Sequence, residues 1–244
     1  MNIGIDIDNV ISNYKGKKVN VILDTDTYNE CDDQFAVAYL LKSQDKFNIE
    51  AITVAPYHHD NNISIEEGID KSYDEIIKIC NWLHFDWTNK LFKGSTDYLE
   101  NDYNEENGAV NKIIEIVNKN AKTYILAIGA ITNVALAIKK EPKIINKIEV
   151  IWLGGHSFLS KCDYLCQRFY NDGVHGIQER RVIWDISVIA YMINKEWFDT
   201  EEVSCPNINN DTSYELTSKN HKITVVNYLN VDKIYRDLFE KLGV

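Results

Sequence analysis

The chain has 244 residues, with 26 Lys and Arg against 37 Asp and Glu, a formal net charge of -11 and a hydrophobic fraction of 45%. This length and composition predict a globular domain with a sizeable core and exclude a disordered chain. The acidic balance argues against nucleic acid as a partner, because phosphate binding needs clustered Lys and Arg. No apolar run reaches the roughly 18 residues that span a membrane, so we expect no membrane partner.

The spacing of the cysteines and the N-terminal sequence predict the cellular compartment of the protein. The five Cys follow no regular spacing, which is typical of reduced thiols in a cytoplasm. The first residues lack the charged, apolar and small-residue order of a signal peptide. We therefore expect a cytoplasmic protein.

Short apolar runs with strand character alternate with longer runs at helical spacing. Such alternation predicts parallel strands joined by crossover helices. The expected fold class is α/β, a mainly parallel open sheet with helices on both faces. The predicted strands are 19–23, 49–54, 123–128 and 147–153, and the predicted helices are 34–42, 65–83, 111–118 and 133–139.

An acidic cluster follows the first predicted strand, at the sheet edge where open α/β sheets place their sites. Residues 24–33 hold five carboxylates in ten positions. Crowded carboxylates resist ionisation unless a cation joins them. Oxygen ligands without grouped His or Cys suit Ca²⁺ or Mg²⁺. The alternative is a solvated acidic turn, with Asp33 as an ordinary charge at a helix N-terminus.

The cluster DTDTYNECDDQFAVAYLL resembles the signature of the inosine-uridine-type nucleoside hydrolases, Asp-x-Asp followed closely by Asp-Asp and a small-residue helix. The resemblance extends over AITVAPYHHDNNISIEEGIDKSYDEI, YILAIGAITNVALAIKKEPKI, VIWLGGH and RRVIWDISVIAYMINKEWF. These blocks occur in the family's order and, with the tail, cover most of residues 18–242. The combination is far more specific than any one block.

The resemblance implies an enzyme that hydrolyses nucleosides into ribose and free base. It implies a Ca²⁺ at the pocket floor, which binds the ribose 2′- and 3′-hydroxyls and a water. An aspartate of the first cluster takes a proton from that water, and the water attacks C1′. It also implies a nucleoside as small-molecule substrate and a homo-oligomeric assembly.

Individual roles follow from the family motif. It implies that Asp26 is the general base and a metal ligand, and that Asp33 and Asp185 are metal ligands. It implies that Thr132 gives its backbone carbonyl to the metal and that Asp32 contacts a ribose hydroxyl. Asn133 either contacts the substrate or caps the helix that follows it.

The loop from Asp26 to Asp32 is two residues longer than in the best-known members. Trp184 stands where the family often has a His thought to help the leaving base. It either stacks on a base or packs in the core. His59 either lies in the pocket, where it can supply acid catalysis, or is a surface residue.

Compared with the family, the sequence lacks a sugar-binding block. After Gly154 and Gly155 the sequence runs almost directly into a segment that resembles a much later helix. We expect a nucleoside-hydrolase-like domain over 18–244, internally shortened near 157–163, and a separate N-terminal extension over 1–17. His156 either replaces part of the lost sugar contacts or is structural.

Two alternatives differ in class from an active hydrolase. A catalytically impaired family member would bind metal or ribose without turnover, which fits the shortened segment and Trp184. A dehalogenase-type phosphatase fits the short motif Asp24-Thr25-Asp26-Thr27. Its other required residues, a downstream Lys and a late acidic pair, cannot be placed.

Overall fold

The structure is a computed structural model, and it describes residues 18–57, 63–99, 107–154, 183–209 and 214–244. The predicted extension over 1–17 and the predicted shortening near 157–163 lie outside these residues. Both therefore stay predictions.

A parallel sheet of five strands forms the centre of the described fold. The strands are β1 (Val19–Thr25), β2 (Phe47–Val54), β3 (Leu91–Lys93), β4 (Thr123–Ala127) and β5 (Ile148–Trp152). Their order in the sheet is β3-β2-β1-β4-β5, and each neighbouring pair is parallel. This confirms the predicted fold class.

The helices cover both faces of this sheet, because consecutive side chains on each strand point to opposite faces. Val21 and Leu23 of β1 belong to one apolar cluster, whereas Ile22 belongs to a second. The helices are α1 (Cys31–Lys42), α2 (Ile65–Trp82), α3 (Gly108–Lys119), α4 (Thr132–Lys140), α5 (Ile186–Ile193) and α6 (Val231–Leu242). The first cluster also holds side chains from α1, α2, α5 and α6, and the second holds side chains from α3 and α4.

The strand order creates a crevice beside β1. The chain runs from β1 to β2 and β3 on one side, then returns to place β4 on the other side of β1. Ligands of open α/β sheets bind outside the carboxyl ends of the strands at such a reversal. The loops after β1 and β4 therefore border the expected site.

The C-terminal part has a different architecture that the sequence patterns did not predict. Strands β6 (Phe198–Ser204) and β9 (Lys222–Leu229) pair antiparallel, as do the short strands β7 (Asn207–Ile208) and β8 (Tyr214–Glu215). α6 follows and packs on α1. None of the described helices combines the length and apolar character needed to cross a membrane.

Candidate metal and active site

Three buried carboxylates converge at the carboxyl edge of the sheet. Asp32 and Asp33 lie in the first turn of α1, and Asp185 lies at the start of α5. One carboxylate oxygen from each residue lies within 4.8 Å of one from each of the others. Their side chains are only 3–5% exposed, so this is not a solvated acidic turn.

Helix α1 begins at Cys31, three residues before the predicted start at Gln34. Both Asp32 and Asp33 thereby enter the first helical turn, where the helix dipole favours negative charge. The Thr25 hydroxyl, at the end of β1, donates a hydrogen bond of 2.7 Å to Asp33 Oδ1. The Trp184 backbone amide donates one of 3.2 Å to Asp32 Oδ2. These contacts join the ends of β1, α1 and α5 around the carboxylates.

Asp26 adjoins this group from the loop after β1, and it is 6% exposed. Burial raises the pKa of both Asp33 and Asp26. The charge of Asp26 adds to the rise at Asp33, and the charge of Asp32 adds to the rise at Asp26. Asp26 Oδ2 accepts a hydrogen bond of 3.0 Å from the Asn29 amide. The structure thus brings together the four aspartates that the sequence predicted for the site.

The helices that carry predicted site residues differ from the others at their N-termini. A side chain caps α2, α3 and α6, where Ser64, Asn107 and Asn230 accept from backbone amides. The helices α1, α4 and α5 have no such side-chain bond. Asp185 occupies the capping position of α5 yet accepts no capping hydrogen bond. Its carboxylate is therefore available to the acidic group.

Burial is the main cause of the raised pKa values of the site aspartates. It raises the pKa of Asp26 from 3.8 to about 6, and raises the pKa of Asp185 to about 8 with help from the charge of Asp32. It also holds the pKa of Asp33 well above its ordinary value. Burial disfavours the charged form, and neighbouring like charges add to the effect.

The described residues offer no positive side chain to balance these acids. None of the ion pairs among them involves Asp26, Asp32, Asp33 or Asp185. A divalent cation would supply the missing charge, and hard cations prefer carboxylate oxygens. The chemistry of this donor set therefore fits an oxygen-bound cation such as Ca²⁺ or Mg²⁺.

Asp24 and Asn133 form a structural network behind the site. Asp24 is fully buried, and its Oδ1 accepts from the Thr53 hydroxyl at 2.6 Å and from the Asn133 amide at 2.9 Å. Burial raises the pKa of Asp24 to about 6. Such an inaccessible carboxylate cannot be the nucleophile that a dehalogenase-type phosphatase requires.

The prediction that Asn133 contacts the substrate needs correction. Its side chain is fully buried, and besides Asp24 it bonds the Val54 carbonyl and the Ser95 amide, each at 2.9 Å. All of its polar atoms are thus used inside the protein. It does not cap α4 either, because that helix begins at Thr132 without a side-chain cap. We assign Asn133 the role of tying the start of α4 to the ends of β1 and β2 and to the loop after β3.

The remaining predicted residues have mixed outcomes. Thr132 is buried at the start of α4, at the same edge of the sheet as Asp26. Trp184 is 53% exposed, which rules out the core-packing alternative and leaves its ring open to solvent beside Asp185. His59 and His156 lie outside the described residues.

The sequence patterns missed three residues near the acids. Asn29 contacts Asp26, and Gly129 packs against it, since a Cβ on Gly129 would lie 2.6 Å from Asp26 Oδ1. Tyr57 is 5% exposed, and its hydroxyl has no hydrogen-bond partner. Burial raises the pKa of Tyr57, the nearby Ser72 hydroxyl lowers it, and the charge of Asp26 raises it. The sequence contains no signal for these three residues, because Asn in a loop and Gly or Tyr after a strand are common in proteins without a functional site.

Three of the solved structures that share this fold are nucleoside hydrolases. A plant nucleoside hydrolase, the PpNRh1 enzyme, matches with a TM-score of 0.69 and 14% identity, over 93% of this chain and 99% of its own. An inosine-uridine preferring nucleoside hydrolase from Bacillus anthracis matches at 0.66 and 14%, over 92% and 99%. A purine-preferring ribonucleoside hydrolase from Gardnerella vaginalis matches at 0.68 and 14%, over 92% and 98%.

The sequence itself establishes the family. The model of the inosine-uridine preferring nucleoside hydrolases matches residues 21–164, which is more than half of the chain. The chain therefore belongs to this family of enzymes, which confirms the resemblance found in the sequence. No curated protein matches the sequence.

Proposed function

We propose that this protein hydrolyses the N-glycosidic bond of ribonucleosides, in a Ca²⁺-dependent reaction at the buried aspartates. Family membership supports N-glycosidic hydrolysis in general. The observation that carries the finer proposal is the convergence of Asp32, Asp33 and Asp185, with Asp26 beside them and no positive side chain of the described residues to balance them.

Asp26, Asp33 and Asp185, with the backbone carbonyl of Thr132, would hold the cation. A bound divalent cation lowers the pKa of water and orients it. The Asn29 amide bonds Asp26 Oδ2, so Oδ1 is the oxygen that accepts a proton from the attacking water. The water oxygen forms a bond to C1′ while the bond from C1′ to the base nitrogen breaks, and the base leaves with that electron pair.

The other acids and Trp184 act on the substrate. Buried carboxylates stabilise the positive charge that develops on the sugar ring, as in other glycosidases. Asp32, in the same group, contacts a ribose hydroxyl. The exposed ring of Trp184 stacks on the base, since an indole ring beside an open site offers a flat apolar face.

The direct test is release of reducing sugar from separate purine and pyrimidine ribonucleosides, with Ca²⁺ and with a chelator. We expect ribose release with Ca²⁺ and its loss with chelator. Asp199→Asn serves as the matched control, because this aspartate is exposed on β6. Absence of ribose release from the folded, Ca²⁺-saturated protein would contradict the proposal.

Calcium binding without turnover would instead support a catalytically impaired family member. The preferred base is a second result of the same assay. The homo-oligomeric assembly, the cytoplasmic location and the pocket roles of His59 and His156 stay predictions.

A further inference from the structure

The loop after β1 folds back on Asp26. The Asn29 backbone amide donates to the Asp26 carbonyl at 2.7 Å, which closes a turn. The Asn29 side chain makes a second, separate contact, in which its amide donates to Asp26 Oδ2 at 3.0 Å. Backbone and side chain of one residue therefore hold Asp26 from the same side.

The other oxygen of the carboxylate, Oδ1, lies close to the backbone of Gly129. A Cβ on Gly129 would lie 2.6 Å from Asp26 Oδ1 and 3.0 Å from Asp26 Cγ. The Gly129 carbonyl is itself fixed by the Trp152 indole, which donates to it at 3.0 Å. The carboxylate is thus confined between the Asn29 amide and the backbone at Gly129.

We propose that Asn29 is a positioning residue, whose side-chain amide occupies Asp26 Oδ2 and so leaves Oδ1 as the oxygen that serves the cation and the water. The proposal rests on the function proposed above. A carboxylate with one oxygen engaged has a fixed orientation, whereas a carboxylate with two free oxygens can rotate. Groups that hydrogen-bond a ligating carboxylate commonly set metal affinity and activity in this way.

A purely structural role for Asn29 predicts a different result. The turn is closed by the backbone bond, which does not depend on the side chain. Asn29 is also only partly buried, so its side chain contributes little packing. Removing the amide should therefore leave the fold intact and act on the Asp26 carboxylate.

The test compares Asn29→Leu, which keeps the branching without a donor, with Asn29→Ala and wild type. Asn230→Ala is the matched control, since Asn230 caps α6 through the Lys233 amide and lies outside the acidic group. Calcium affinity is measured by calorimetric titration of chelator-treated protein, and kcat and KM are measured with a nucleoside that wild type hydrolyses. We expect both Asn29 variants to bind Ca²⁺ about 10-fold more weakly. We also expect kcat to fall by about 10-fold and KM to change less. The control should lose stability alone.

The outcomes separate this proposal from the proposed function. Unchanged calcium affinity and kcat in Asn29→Leu and Asn29→Ala would overturn the positioning role and leave the hydrolase intact. If wild type binds Ca²⁺ but releases no ribose, the hydrolase fails, and the calcium affinities still decide the role of Asn29. If wild type binds no Ca²⁺, both proposals fall. Should Asn29→Leu not fold, Asn29→Ala carries the same comparison.

Discussion

The acidic residues of this protein fall into two kinds with opposite surroundings. On the surface of α3, Glu115 accepts hydrogen bonds from Lys119 and Lys112, and these contacts lower its pKa. At the sheet edge, burial and the neighbouring Asp32 raise the pKa of Asp185 to about 8. Glu115 has two lysines as counter-ions. Among the described residues, no Lys or Arg forms an ion pair with the buried aspartates of the site.

This difference indicates what the buried group is for. Surface ion pairs form between solvated side chains, and their effects on stability are small. Buried carboxylates without a partner destabilise the folded state when they ionise. A fold keeps such a group where an external cation or a substrate compensates for it. The predictions below test that contrast, from the largest expected effect to the smallest.

Removing the carboxylate of Asp26 should have the largest effect on activity. Asp26→Asn keeps the size of the side chain but removes the proton acceptor, so kcat should fall by about 10² to 10⁴-fold. Steady-state ribose release measures this. The exposed Asp199→Asn should retain wild-type kcat, and equal losses in the two variants would break the contrast between buried and surface acids.

Calcium should stabilise the protein through the buried group alone. At a free Ca²⁺ concentration of about 100 times Kd, binding should add roughly 2.7 kcal/mol to the free energy of unfolding. For a chain of this size, that corresponds to a rise in Tm of about 5–10 °C. Thermal melts with Ca²⁺ and with chelator measure the shift. It should disappear in Asp33→Asn, and a full shift in that variant would place the cation elsewhere.

The metal-free protein should lose stability as the pH rises. The pKa of Asp26 is raised from 3.8 to about 6 and that of Asp185 to about 8, so the folded state holds protons that the unfolded state has released. The free energy of unfolding in chelator should therefore fall between about pH 4 and pH 8, by up to about 1.4 kcal/mol per pH unit for each proton.

Denaturant titrations at several pH values measure this slope. Asp185→Asn should make the upper part of the decline shallower, because the amide does not titrate, whereas Asp33 still contributes to it. A flat profile in metal-free wild type would show that the buried acids ionise without penalty.

The smallest effect is expected at the surface. Glu115→Gln removes the acceptor that Lys112 and Lys119 share, yet all three side chains are solvent-accessible. We expect no resolvable change in Tm, calcium affinity or kcat. A large loss of stability in this variant would mean that surface and buried acids do not differ in the way described.

The sequence predicted the parts of the fold that depend on local patterns. The alternation of Val21, Ile22 and Leu23 between two buried faces is the pattern of a central parallel strand, and β1 occupies the middle of the sheet. Helical spacing likewise located α1 to α4. The sequence did not predict the strands after α5. Many of their side chains are exposed, so they lack a clear apolar pattern, and each pairs with a strand that lies elsewhere in the chain.

The same distinction applies to the site. Asp26, Asp32 and Asp33 are close in sequence, so their motif was visible. Asp185 was placed only by family resemblance, because nothing local reveals that α5 begins beside α1. Asn133 was misassigned because its role depends on contacts with Asp24, Val54 and Ser95, which only the folded chain brings together.

The central claim is that the buried aspartates form a cation site. It is tested most directly by calorimetric titration of Ca²⁺ into chelator-treated wild type, Asp33→Asn and Asp199→Asn. We predict binding in wild type and Asp199→Asn, and its loss in Asp33→Asn. Wild type that binds no Ca²⁺, or Asp33→Asn that binds as wild type does, would contradict the account.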